Sequence, residues 1–224
     1  MGHLRDDEHT LVSAAVAEAE SMTAGEIVTV VADRSDGYSD VALAWSAIAA
    51  FSAIAALTFF PDFYLGWTDR LFGGWNHEWT PRTVLGLALA VGIIKFWAMW
   101  LIQLWQPLKF PLIPPPIKTK RVRLRAISLF KVGAERRTRG RTGVLIYLSM
   151  REHRAEIVAD SAIASKVPPE MWGDAMTVML AELKRGDWGA GMAAAVIEVG
   201  KVLAEHFPRA DDDINELPDR LIEL

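Results

Sequence analysis

Residues 41–60 read VALAWSAIAAFSAIAALTFF, an uninterrupted run without a charge. At 1.5 Å per residue in an α-helix, such a run covers about 30 Å, the thickness of a bilayer's hydrocarbon core. It reads as a spanning helix. Polar-patterned residues 1–40 precede it, which is not the position of a cleaved leader. A second run, TVLGLALAVGIIKFWAMWLIQLW at residues 83–105, carries a single charge, Lys95. Between the two, residues 61–82 supply Phe63, Tyr64, Trp67, Phe72, Trp75 and Trp79, rings of the sort that settle at the headgroup level. That stretch reads as a short interfacial loop closing a two-helix hairpin.

The rest of the composition fits an anchor joined to a soluble domain. Hydrophobic residues make up 51% of the 224 residues, yet 23% are charged, so the two kinds must be segregated along the chain. Seven of the nine tryptophans fall between Trp45 and Trp105, inside the apolar region. With no cysteine, disulfides, thiolate zinc sites and cysteine nucleophiles are excluded. The net charge of -4 averages a basic middle against acidic ends. Residues 106–142 hold eleven lysines and arginines against one acid, Glu135, whereas the interhelix loop has only Arg70 and Arg82. The positive-inside rule then places the basic segment, the soluble domain and both termini on the cytoplasmic side of an inner membrane, in a multi-pass topology. The basic run also reads as a contact for anionic lipid. No aromatic or recognition-helix pattern accompanies the charge, so nucleic acid is not an expected partner.

The flanking segments combine into one domain. Leu11, Val12, Ala15, Val16, Ala19 and Met22 follow helical spacing, with Asp6 or Asp7 as the cap. EIVTVVA at residues 26–32 is the β-branched run of an interior strand. One helix and one strand cannot bury both faces alone, so they need the residues beyond the hairpin. There, residues 124–138 predict a helix, GVLIYLS a strand from Gly143, Met150 to His153 a tight connection, and RAEIVAD an antiparallel return. Two helices follow: residues 169–185, with Trp172, Met176, Met179, Leu180 and Leu183 inward, and residues 188–206. The expected fold is α/β, a small mixed β-sheet sandwiched by helices and interrupted by the transmembrane hairpin. The expected division is 1–38 and 124–224 for the two parts of the domain, 41–105 for the hairpin and 106–123 for a basic juxtamembrane linker.

These segments also resemble a family. TAGEIVTVVA, RTGVLIYLS, AEIVADSAIASKVPPEMW, GDWGAGMAAAVIEVGKVLAEHFP and the ending DDDINELPD occur in order with the spacing of the TPM domain. That domain takes its name from a thylakoid lumen protein, a photosystem repair protein and a nematode receptor modulator. The resemblance covers residues 7–34 and 124–218, and is strongest to bacterial members with a similar NELPD tail. It implies an α/β sandwich. It also implies acid phosphatase activity for some members and calcium binding for others. Phosphatase-like members place aspartates in an N-terminal segment that this sequence lacks.

Chemistry-bearing residues are sparse. Glu152 and His153 are an acid/base pair by type, but charges between two strands ordinarily form a solvated turn. Asp160, ending a strand, is a candidate metal ligand or a cap for the turn that follows. Asp211, Asp213 and Asn215 have the alternate spacing of the first calcium-loop ligands, yet Glu216 stands where the loop's glycine belongs and Ile222 where its bidentate glutamate belongs. No cofactor is expected from the residues themselves; calcium enters through the resemblance alone. His206 reads as a cation at a helix C-terminus.

Lys95 is the one expensive residue, at about 2.5 to 3.5 kcal/mol for a charge at mid-span. Ser46, Ser52, Thr58 or backbone carbonyls are its available intrachain partners. Snorkelling is one role for it, contact with an acidic residue of another membrane protein is the second, and a transport path, which two spans could enclose only by oligomerising, is the third. Two function classes follow. The first is a membrane-anchored, non-catalytic interaction or accessory module, with the lipid bilayer and other membrane proteins or a second copy as partners. The alternative is a membrane-anchored phosphatase or metal-dependent hydrolase of the TPM type.

Overall fold

The computed structural model describes residues 4–72, 79–133, 142–209 and 219–224. It divides into two compact units, one formed by Met1–Asp36 with Pro115–Leu224 and one by Gly37–Pro114. In chain order the elements are α1 (Asp6–Glu20), β1 (Glu26–Ala32), α2 (Ser39–Phe59), α3 (Pro61–Phe72), α4 (Pro81–Leu104), the short α5 (Gln106–Lys109), α6 (Pro115–Gly133), β2 (Gly143–Ser149), β3 (Arg154–Ala159), α7 (Ser161–Lys166), α8 (Gly173–Lys184), α9 (Trp188–His206) and β4 (Ile222–Glu223).

The first unit is built on a four-stranded sheet of order β3-β2-β1-β4. β1 and β2 pair in parallel from Glu26↔Gly143 to Ala32↔Ser149, and β2 pairs antiparallel with β3. Every residue of β1 and β2 is buried, as expected of strands covered on both faces. The pleat sorts their side chains with period two. Ile27, Val31, Val144, Ile146 and Leu148 pack with Val12 and Val16 of α1, Met179 of α8 and Val196 of α9. Val28, Val30, Leu145 and Tyr147 pack on the other face against Val122, Ala126 and Phe130 of α6. Gly200 of α9 lets α1 come close: a Cβ there would stand 2.7 Å from that of Ala19. Thr29, on the α1 side of β1, keeps its hydroxyl buried without a hydrogen-bond partner among the described residues.

Several expectations are corrected. Leu11 and Met22 are half exposed, because the buried stripe of α1 runs through Val12, Ala15, Val16 and Ala19, and Met22 lies past the helix end. Arg5, not an aspartate, precedes α1, and Glu8 reaches back to accept from the Arg5 amide at 2.8 Å. The helix expected from residue 124 begins at Pro115; Val122 belongs to its buried stripe, so residues 115–123 are part of the domain, not of a linker. Its expected end at residue 138 lies outside the described residues. Residues 169–185 split into a 3-10 turn, Pro169–Trp172, and α8, on which Leu180 turns outward at 38% exposure. α7 and β4 had no sequence signal.

In the second unit, α2 and α4 are long and apolar enough to cross a membrane. They pack against each other, and at Gly92 the approach is so close that a Cβ would lie 2.8 Å from Ile54 Cδ1. Three polar side chains of the pair bond to backbone carbonyls. Ser46 and Thr58 hydroxyls donate to Ala42 and Ile54 carbonyls of their own helix at 2.9 Å, and Gln103 Nε2 donates to the Ala42 carbonyl at 3.1 Å. The stretch expected as a loop contains the helix α3. Lys95 stands exposed on α4, with no hydrogen bond or ion pair to a described residue.

Candidate functional site

Polar chemistry gathers where β1 and β2 end together. Parallel pairing brings Asp33, Ser35 and Asp36 beside the connection of residues 150–153, and the backbone prolongs the ladder: Met150 N donates to Ala32 O and Arg151 N to Asp33 O, both at 3.0 Å. His153 closes the turn in the left-handed region, φ 50°, and its amide donates to Met150 O at 3.2 Å. That turn aims Glu152 inward.

Glu152 is 4% exposed, which corrects the expectation of a solvated turn. Its carboxylate accepts from the Ser35 amide at 2.9 Å and from the Ser149 hydroxyl. The Ser35 hydroxyl in turn donates to Ser149 Oγ at 3.0 Å and lies 3.0 Å from the Tyr147 hydroxyl. Burial pushes the Tyr147 phenol above its usual range, a push eased by the hydrogen bonds from Ser35 and Ser149. Sequence reasoning missed Ser35, Tyr147 and Ser149. The available signal was that Tyr147 and Ser149 share one face of an otherwise apolar strand. His153, the other half of the presumed acid/base pair, points outward, its ring 6.1 Å from that of Trp188.

The neighbouring aspartates are held by arginines. Arg151 Nε contacts both Asp33 oxygens, at 2.8 and 2.9 Å, and Arg121 meets Asp36 at 3.1 Å. The chemistry of this corner is therefore one of closed pairs: buried hydroxyls satisfying a buried carboxylate, and guanidinium groups satisfying aspartates.

Asp160 lies elsewhere. Its amide donates to Gly143 O at 2.9 Å, placing it at the opposite end of β2, and its side chain caps α7 by accepting from Ser161 N at 2.6 Å. Its second oxygen, Oδ2, is buried without a hydrogen-bond partner among the described residues. Asp211, Asp213 and Asn215 lie outside the described residues. Among those described, no three histidine, cysteine or acidic side chains group to hold a metal ion. His206 ends α9 with Nδ1 3.0 Å from Val202 O.

A second carboxyl cluster lies at the start of the sheet. Glu20 accepts from the Ile27 amide at 2.7 Å and shares a hydrogen bond with Asp219. Burial, reinforced by Glu26 and Asp219, pushes its carboxyl up to about 8. From Asp219 the chain runs into β4, which pairs with Val30 and Val31 of β1, while Glu223 accepts from the Leu4 amide and lies against His9 Nε2, both at 2.9 Å.

Residues 118–202, from α6 into α9, match the family model of the TPM domain. No curated protein matches. Among solved structures, the NMR structure of the BA42 protein from the psychrophilic bacterium Bizionia argentinensis is similar, with a TM-score of 0.57 at 17% identity, covering 100% of this chain and 97% of that one. This is a likeness of fold.

Proposed function

We propose that the TPM domain matched at residues 118–202 works as a non-catalytic interaction or accessory module, tethered to a membrane by α2 and α4 and serving membrane protein complexes. The observation that carries this reading is the pairing at the end of β1 and β2. Asp33 and Asp36 are engaged by Arg151 and Arg121, and Glu152 is engaged by Ser35 and Ser149, so carboxylates that a hydrolase would turn toward metal or substrate are turned toward the chain itself. The tether gains support from the sheet. β1 precedes the hairpin and β2 follows it, yet they are hydrogen-bonded neighbours, so both ends of the hairpin must lie on one side of any membrane. Two crossings meet that requirement and one does not. The basic flank supports a cytoplasmic side for the domain.

Detergent-purified full-length protein, assayed against a generic phosphate ester with and without calcium or magnesium, should show no turnover. Crosslinking in native membranes should capture membrane proteins. Metal-dependent hydrolysis abolished by Asp33→Asn or Glu152→Gln would overturn this reading in favour of a hydrolase.

A further inference from the structure

α6 has two faces of different chemistry. Val122, Ala126 and Phe130, four residues apart, form the buried stripe against the sheet. On the opposite side Lys120, Leu124, Ser128 and Lys131 recur at the same helical spacing and are all exposed. The helix carries Lys118, Lys120, Arg121, Arg123, Arg125 and Lys131 and not one acid. Arg121 is engaged by Asp36 and Arg123 acts on Glu156, but Lys120 and Lys131 have no carboxylate within ion-pairing distance among the described residues. Between those two lysines stands Leu124, 52% exposed, and Val132 beside them is 72% exposed.

Cations repel one another, and here they flank an exposed leucine and valine. A bilayer surface accommodates both, with apolar side chains entering the acyl boundary while lysines extend to lipid phosphates. α6 also begins at Pro115, shortly after α4 ends at Leu104, a connection that spans at most ~40 Å of extended chain. We propose that the outer face of α6, centred on Lys120, Leu124, Ser128 and Lys131, docks on the anionic phospholipid surface of the membrane in which the hairpin is anchored. The contact rests on the anchor proposed above. Its phosphate recognition is electrostatic, at roughly fivefold in affinity per lysine near an anionic surface, and weakens with salt.

Because the protein has no cysteine, Ser128→Cys gives a single labelling site on this face. Full-length protein with an environment-sensitive dye at that position is reconstituted into vesicles of phosphatidylcholine alone or with phosphatidylglycerol. A dye at Ser165→Cys, exposed on α7, serves as the comparison. Quenching of the α6 dye by aqueous acrylamide should be several-fold weaker in the anionic vesicles and recover at high salt. It should also recover in Lys120→Gln/Lys131→Gln, and the α7 dye should not respond. Equal quenching in both vesicles, with the protein retained after alkaline carbonate, would overturn the lipid contact and leave the anchor standing. Release by carbonate from both vesicles would overturn the anchor and the contact with it. The same protection produced by duplex DNA in phosphatidylcholine vesicles would assign the face to nucleic acid instead.

Discussion

Arg151 Nε lies between the two carboxylate oxygens of Asp33, at 2.8 and 2.9 Å, joining the residue after β1 to the turn after β2. Both side chains are more than one-third exposed, so solvent screens the pair. Arg151→Met should lower stability by only ~0.2 to 1 kcal/mol, and a double-mutant cycle with Asp33→Asn should return a coupling in the same range. The coupling should shrink in high salt. A coupling above that range would show that the pair is sealed from solvent.

Glu152 differs, because it is buried and bonded to two donors. Replacing it with leucine leaves the Ser35 amide and the Ser149 hydroxyl without their acceptor. The expected loss is about 2 to 4 kcal/mol in denaturant unfolding, with Glu152→Gln losing distinctly less. Equal losses would mean that side-chain size, not hydrogen bonding, governs the site.

Glu20 sets a pH dependence. An unfolded glutamate releases its proton near 4.5, while in the folded domain Glu20 keeps it to about 8. Between these values the native state binds the extra proton, so stability falls as pH rises through this window and levels off above it. The loss is on the order of a few kcal/mol. Glu20→Gln retains an acceptor for the Ile27 amide and removes the titration. The unfolding free energy of the variant should stay flatter from pH 5 to 8 and exceed that of the parent at pH 8; parallel curves would refute the assignment.

Thr29 offers a gain. Its hydroxyl is buried with no partner among the described residues, between Ile27 and Val31 on the α1 side of β1. Thr29→Val should stabilise the protein by about 1 kcal/mol, read as a higher denaturant midpoint at unchanged slope. A lower midpoint would show that the hydroxyl is satisfied in solution.

Lys95 separates two roles. If it extends along α4 toward the interface, Lys95→Leu should ease insertion by roughly 2.5 to 3.5 kcal/mol or less and leave co-purified partners unchanged. If it pairs with a partner's buried acid, the same change should weaken that complex by about 3 to 5 kcal/mol. Comparison of partners from native membranes distinguishes the two signs.

How much of this was legible in the sequence depends on how local each signal is. β1, β2 and α9 were read residue for residue, since β-branched runs and helical spacing are local patterns. β4 was not, because two residues become a strand only by meeting Val30 and Val31 from the far end of the chain. The start of α6 is obscured in the sequence, because its lysines and arginines interrupt the stripe of Val122, Ala126 and Phe130 that packs on the sheet. In the candidate site, Glu152 was noticed and misjudged: the left-handed turn at His153 directs it inward, and its partner Ser35 is 117 residues away. Asp33 and Asp36 were never singled out, as their arginines are brought close only by the finished sheet.

The parallel ladder between β1 and β2 imposes an order of events on synthesis. β1 ends at Ala32 and its neighbour does not begin until Gly143, with both long apolar helices made in between. At ~5 to 20 residues per second, β1 waits on the order of ten seconds after emerging from the ribosome before its partner exists. Through that interval a seven-residue β-branched strand is without its sheet, which leaves time for the proposed anchor to insert first. With the hairpin anchored as proposed above, completion of the sheet follows insertion, and a chain whose hairpin fails to return to the starting side cannot close its ladder.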